Sequence, residues 1–158
     1  MIELKAILNP TDFSESSRHA SEYACSLARK YKAKLYLLHV IEEVSSAMYF
    51  DMMQTPPLVE LMAEVEEQAR RALDDALPPD LCEGIEVESV IRRGVPFLEI
   101  VLCAKELNCD LIVCGSHGRT GLKHALFGSV AEKVVRKAPC PVLSVRHPEH
   151  KFEMPSSG

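Results

Sequence analysis

Asp110 to Val135 reads DLIVCGSHGRTGLKHALFGSVAEKVV, and its character changes twice. The opening run DLIVCG (110–115) is continuously apolar after its aspartate, as a strand covered on both faces should be. The closing part places Val130, Ala131, Val134 and Val135 at helical spacing, with Ser129 followed three residues later by Glu132. That spacing is a capping-box pattern and predicts a helix opening at Ser129 with the serine as its cap. Three glycines and several hydroxyl residues lie between strand and helix. Ligands of open parallel sheets bind there, at the carboxyl ends of strands near the point where strand order reverses. Gly115 lets the chain leave the strand sharply, and Gly118 lets backbone approach a ligand without an intervening Cβ. The first amides of the helix and its dipole offer partial positive charge, while Arg136 and Lys137 suit the opposite end. A loop and a helix start thus face one anion, with Ser116, Ser129 and backbone amides as donors, and a phosphate chain suits them. The plainer alternative, that the glycines mark turns and Ser129 only caps a helix, stays open.

Outward from this stretch the chain alternates strands and helices. KAILNP (5–10), AKLYLLHVI (33–41), IEVESVI (85–91) and PVLSVR (141–146) join DLIVCG as strands. IEVESVI alternates polar and apolar residues, as a strand nearer an edge would. The first helix carries the stripe Ala20, Tyr23, Ala24, Leu27, Ala28 and Tyr31. The second carries Leu58, Leu61, Met62, Val65, Ala69, Ala72, Leu73 and Ala76, with Glu66, Glu67, Arg70 and Arg71 on a solvated face. A third, with Phe97, Ile100, Val101 and Ala104, begins after Gly94 with Pro96 in its first turn. This alternation predicts a mostly parallel sheet with helices on both faces, an α/β single domain spanning 1–147. Residues 42–57 lack a period and read as a long loop, either a flap over the sheet edge or a lid or partner surface. ALPPDLCEG (76–84) reads as a turn, and 148–158 as a flexible C-terminal tail.

Composition restricts the function classes. The chain has 158 residues, enough for one domain with a real core, and a formal charge of −5. No global attraction toward nucleic acid or an anionic membrane follows, so an anionic ligand must be held locally. No run is long and apolar enough to span a bilayer, and MIELKAILNP lacks a signal-peptide pattern, which together predict the cytoplasm. The six cysteines form no C-x-x-C pair and read as buried reduced thiols.

The first strand adds a second candidate. NPTDFSESS (9–17) puts Asp12 just past the strand, opening onto the same crevice. There Asp12 can accept hydrogen bonds from a ribose or base, or help hold a metal with the phosphates; its spacing from Glu15 equally fits a helix cap. The Walker spacing G-x-x-x-x-G-K-[ST] is absent and no G-x-G-x-x-G follows the first strand, which disfavours P-loop GTPases and standard dinucleotide-binding domains. His117 has no inferable triad partner and reads as a ligand-contacting or solvent-facing imidazole; His39 reads as a satisfied internal histidine.

Gly115-x-x-Gly118, nine residues, then Gly128-Ser129 resembles the G-2x-G-9x-G-[ST] signature of the universal stress protein family, in its ATP-binding branch. KAILNPTDFSESSRHASEYACSLARKYKAKLYLLHV resembles that family's opening, and CDLIVCGSHGRTGLKHALFGSVAEKVVRKAPCPVLSVR its closing half. The resemblance implies an open twisted five-stranded parallel sheet of order 3-2-1-4-5, Rossmann-like and of the adenine nucleotide alpha hydrolase type. It also implies a homodimer paired through the last strand, Val142 to Val145. Carried over residue by residue, Pro10, Thr11 and Asp12 line the adenosine side and Val40 meets adenine through its backbone. Gly115, Ser116, His117, Gly118 and Arg119 wrap ribose and phosphates, and Gly128, Ser129 and Val130 close on the phosphates. The implied ligand is ATP with magnesium, the metal ligands being unassigned. The implied role is a nucleotide-dependent regulatory protein of the stress response, not an enzyme, with slow or no hydrolysis and a protein partner still to be identified. The alternatives are an interaction module with a vestigial pocket and a slow ATPase. An adenylyl-transferring ligase would carry H-x-G-H or S-G-G-x-D-S, and neither occurs.

Overall fold

A computed structural model describes residues 1–43, 50, 57–117 and 127–148. In chain order the elements are β1 (Ala6–Pro10), α1 (Glu15–Tyr31), β2 (Lys34–Glu42), α2 (Pro57–Ala76), α3 (Pro79–Cys82), β3 (Val87–Gly94), α4 (Pro96–Glu106), β4 (Leu111–Gly115), α5 (Ser129–Lys137) and β5 (Val142–Val145). The sheet is parallel throughout and ordered β3-β2-β1-β4-β5. Strand order reverses between β1 and β4. The expected α/β sheet and its order are therefore present, and β3, whose sequence alternates, is an edge strand. The segment read as a turn at 76–84 contains the single helical turn α3, with Pro79 in its first position. Most of the loop at 42–57, and the tail from 149, lie outside the described residues.

Alternation along the central strands feeds two cores. Ile7, Leu35, Leu37 and Val113 point to the face covered by α1 and α2, where Ala20, Ala24, Cys25, Ala28 and Leu73 meet them. Leu8, Leu38 and Ile112 point to the other face, against Ile100, Cys103 and Ala104 of α4 and Val134 of α5. Burying one Leu or Ile side chain contributes about 1.5–3 kcal/mol before its entropy cost, so these doubly covered strands supply much of the fold's stability. The α1 stripe is rotated from its expected position. Tyr23 and Tyr31 are exposed, while Ser16, Ser17 and Ser21 are buried beside Ala20 and Ala24. Small side chains let the first half of α1 ride close to β4, and tyrosines would hold it away. Along α2 the buried side is narrower than the apolar pattern, with Ala69 and Leu73 inside and Leu61 and Val65 outside. Its solvated face carries the pairs Arg70–Glu66 and Arg71–Glu67, each at 3.2 Å.

All six cysteines are free thiols, and Cys25, Cys103, Cys109 and Cys114 are buried. Burial pushes Cys25 and Cys114 up to about 11 and Cys109 up to about 12, so they carry little thiolate near neutrality. No helix among the described residues is long and apolar enough to cross a membrane.

Asn9 was given no role by its sequence position, yet it is completely buried. Its Nδ2 donates to the Val113 carbonyl at 2.9 Å, and its Oδ1 accepts from Ser21 Oγ at 2.7 Å. One amide thereby ties β1, β4 and α1 together. Asn9→Ala strands the buried Val113 carbonyl, while Ser21 Oγ keeps the Ser17 carbonyl as an acceptor at 3.0 Å; the substitution is expected to lower the unfolding free energy by about 2 kcal/mol, read from urea denaturation at unchanged slope.

Candidate functional site

β1 stays paired with β2 as far as Pro10 opposite Leu38, but its register with β4 ends at Leu8 opposite Ile112. Past that point the neighbouring strands part, and a cleft of about 900 Å³ opens above them. Its walls come from the turn after β1, the end of β2, the inner side of α2, the end of β4 and the start of α5.

The turn after β1 is held by its own side chains. Thr11 donates its N–H to the Leu38 carbonyl at 2.8 Å, and Thr11 Oγ1 accepts from the Phe13 N–H at 3.0 Å. Asp12 Oδ1 accepts from the Ser14 N–H and from Ser17 Oγ, both at 3.0 Å. Phe13 sits in the left-handed region at φ 65°, which swings the chain into α1. The cap of α1 is Ser14, whose hydroxyl accepts from the Ser17 N–H at 3.3 Å. This corrects the capping alternative for Asp12. Its carboxylate closes an Asx turn two residues ahead, so the helix begins later than the Asp12–Glu15 spacing suggests. On the facing strand, Val40 lines the cleft, as does His39, whose Nδ1 lies 2.8 Å from the Thr11 carbonyl.

At the end of β4 the structure revises the reason for Gly115. The chain makes no turn there: β4 runs through Gly115, and the Ser116 N–H donates to the Val145 carbonyl at 2.9 Å. A Cβ on Gly115 would stand 2.7 Å from Ser16 Oγ and 3.0 Å from the Ser16 carbonyl oxygen. The glycine is therefore set by the close approach of α1. Gly115 and His117 line the cleft; Ser116 between them is buried, with its hydroxyl 2.8 Å from His117 Nδ1. Gly118 and Arg119 lie outside the described residues.

The start of α5 departs from the expected capping box. Gly128 is the cap residue, extended at φ −69° and ψ 152°, and among the described residues no side chain caps the helix. Ser129 is the first helical residue, and Glu132, whose N–H donates to the Gly128 carbonyl at 3.0 Å, pairs its carboxylate with Arg136 at 2.8 Å. A glycine cap has no side-chain oxygen for the first amides, so the positive end of the α5 dipole faces the cleft without an acceptor from its own cap residue. The Gly128 N–H donates to the Ser116 carbonyl at 2.6 Å, fixing this helix start to the end of β4. Gly128, Ser129 and Val130 all line the cleft, across from Pro10, Thr11 and Asp12. Sequence reading missed Phe13, His39 and the α2 wall with Gln68 and Ala72, because no motif marks them. Among the described residues, no group of three or more His, Cys, Asp or Glu could hold a metal ion.

The family model described as the universal stress protein family matches residues 3–146. Universal stress protein MJ0531 of Methanocaldococcus jannaschii is 36% identical over 146 residues, covering 92% of this chain and 84% of that one. Universal stress protein MJ0577 of the same organism is 33% identical over 153 residues, with 90% and 94% covered. A solved structure of MJ0577 superposes with a TM-score of 0.69 at 35% identity, covering 94% of this chain and 99% of the other. The universal stress protein UspA from Lactobacillus plantarum superposes with a TM-score of 0.77 at 26% identity, covering 92% and 100%. These neighbours share the adenine nucleotide alpha hydrolase-like fold.

The Gly115 contact yields a test of the packing. Gly115→Ala is expected to destabilise the protein by about 2 kcal/mol, the usual scale of overpacking. Adding Ser16→Ala should recover only part of that, because the Ser16 backbone carbonyl stays in the way; chemical denaturation of both variants measures the difference.

Proposed function

The chain belongs to the universal stress protein family, and from that premise we propose that it is an ATP-binding regulatory protein acting in the cytoplasm in the stress response. The observation that carries this reading is the start of α5. An uncapped helix end, anchored by Gly128 to the end of β4, turns its first amides into a cleft of about 900 Å³ at the point where strand order reverses. Helix N-termini of this kind accept phosphate, and the location is the one where nucleotides bind in open α/β sheets.

In this reading Gly128, Ser129 and Val130 present backbone amides and the Ser129 hydroxyl to the phosphates. Gly115 and His117 form the adjoining lip, with Ser116 buried between them and its carbonyl holding the Gly128 N–H, and the signature assigns Gly118 and Arg119 to the same group. Pro10, Thr11 and Asp12 take the adenosine side, and the Val40 backbone meets the base. Two or three local donors are enough to offset the repulsion of a chain with net charge −5, because screening confines charge effects to about 8 Å at physiological salt. Magnesium would arrive with the phosphates. ATP serves occupancy rather than turnover, with slow or no hydrolysis, since phosphoryl transfer needs a positioned base or water-orienting group together with metal ligands.

A homodimer through β5 belongs to the same reading. β5 is a four-residue edge strand with Leu143 exposed, and the neighbouring α5 exposes Val135. Pairing of two such edges about a twofold axis would cover both. A partner protein would then read the nucleotide state of the dimer.

Protein purified without added nucleotide, then denatured, should release ATP or ADP identifiable by mass spectrometry, and the emptied protein should bind ATP in calorimetric titration with magnesium. Gly128→Asp should move two quantities in opposite directions. An aspartate at this cap position suits the helix and raises stability by a few tenths of a kcal/mol, while its carboxylate repels phosphate and abolishes ATP binding. Unchanged ATP affinity in that variant would reject the phosphate assignment.

A further inference from the structure

We propose that His39 is a positioning residue for the nucleotide: its Nδ1–H clamps the Thr11 carbonyl and so fixes the turn that carries Thr11 and Asp12 into the cleft. This inference rests on the nucleotide reading above and names a determinant within the same site.

The geometry is one-directional. A carbonyl oxygen can only accept, so the 2.8 Å contact with Thr11 requires the proton on Nδ1. Pro10 has no N–H, and Thr11 gives its own N–H to the Leu38 carbonyl at 2.8 Å. The imidazole therefore supplies the second tie between this turn and β2, and both peptide groups of Thr11 are held by consecutive residues, Leu38 and His39. The turn needs this restraint. Phe13 holds a left-handed backbone at φ 65°, a conformation that costs free energy in any residue with a Cβ, and its ring packs on the imidazole at 4.5 Å between centroids. Between these two anchored residues lies Asp12, whose carboxylate orientation also depends on Ser14 and Ser17. Loss of the Nδ1 donor would release the Thr11 peptide plane and loosen Phe13 at the margin of the core under α1, moving the adenosine-side groups while leaving the fully buried residues of both cores in place. The imidazole is half-buried and lines the cleft, where no catalytic partner is required of it.

Covalent structure provides a discriminating test. In histidine Nδ1 is bonded to Cγ, and the amide nitrogen of asparagine is bonded to Cγ as well; the amide nitrogen of glutamine lies one atom further out, at the level of Nε2. ATP with magnesium is titrated calorimetrically into wild-type protein and into His39→Asn, His39→Gln and His39→Ala, with far-UV dichroism and thermal midpoints recorded for each. His39→Asn should rescue affinity to within about threefold of wild type, and His39→Gln and His39→Ala should bind about tenfold more weakly, the scale of one lost hydrogen bond. Nitrogen chemical shifts of the His39 ring in ligand-free wild type should report the proton on Nδ1. Equal affinities for the Asn and Gln variants, wild-type affinity in His39→Ala, or a neutral ring protonated on Nε2 would overturn the clamp while leaving the nucleotide reading in place. Wild-type protein that takes up no ATP would instead overturn the nucleotide reading, and the clamp's role in it as well.

Discussion

The parting of β1 from β4 is the constraint on which the rest of this molecule depends. Two neighbouring parallel strands stop pairing after Leu8 and Ile112, because the chain leaves β1 toward one side of the sheet and β4 toward the other. A split of this kind exposes backbone acceptors that need partners. Asn9 supplies one from a side chain, giving its amide to Val113 and receiving the Ser21 hydroxyl. The strands can then diverge without stranding a buried carbonyl, and the divergence is the floor of the cleft. A polar residue at the centre of an apolar sheet is thus a condition for having a site at all.

Small residues set the second condition. α1 approaches β4 so closely that Gly115 has no room for a Cβ beneath Ser16, and the helix meets the sheet through serines and alanines. That proximity brings Ser14 and Ser17 within reach of Asp12 and Thr11, and a continuous set of hydroxyl and carboxylate contacts shapes the turn after β1. On the opposite side, α5 starts at a glycine and has no side-chain cap. The two helix starts differ in what they do with their first amides: α1 satisfies its own through Ser14, and α5 presents them outward. A ligand with one polar, hydrogen-bonding end and one anionic end matches this asymmetry.

Much of this was legible in the sequence, and the misses share a cause. The continuous apolar run at 110–115, the alternation at 85–91 and the helical periods determined a parallel sheet with helices on both faces. Of the residues in the glycine spacing, Gly115, Gly128 and Ser129 line the cleft, and Gly118 lies outside the described residues. Local patterns were less reliable at helix ends. Ser129 and Asp12 both have capping-box spacing, yet Gly128 and Ser14 are the caps, since the backbone path into a helix decides which residue is extended and which is already helical. The α1 stripe was misplaced for a related reason, because tyrosines satisfy a helical period as well as serines do while only serines fit against β4.

What the sequence determined by itself was therefore periodic or local: the element types, their order, the resemblance to the family and the glycine-serine spacing that marks the candidate site near Gly128. Tertiary structure decided everything that depends on distance between segments remote in the chain. Asn9 bonds across 104 positions to Val113, His39 reaches back 28 to Thr11, and Gly115 is a glycine because of Ser16. Periodicity reports which side of an element is apolar, but it carries no information on how closely two elements approach, and close approach is what selects a buried amide, a positioned imidazole and a missing Cβ.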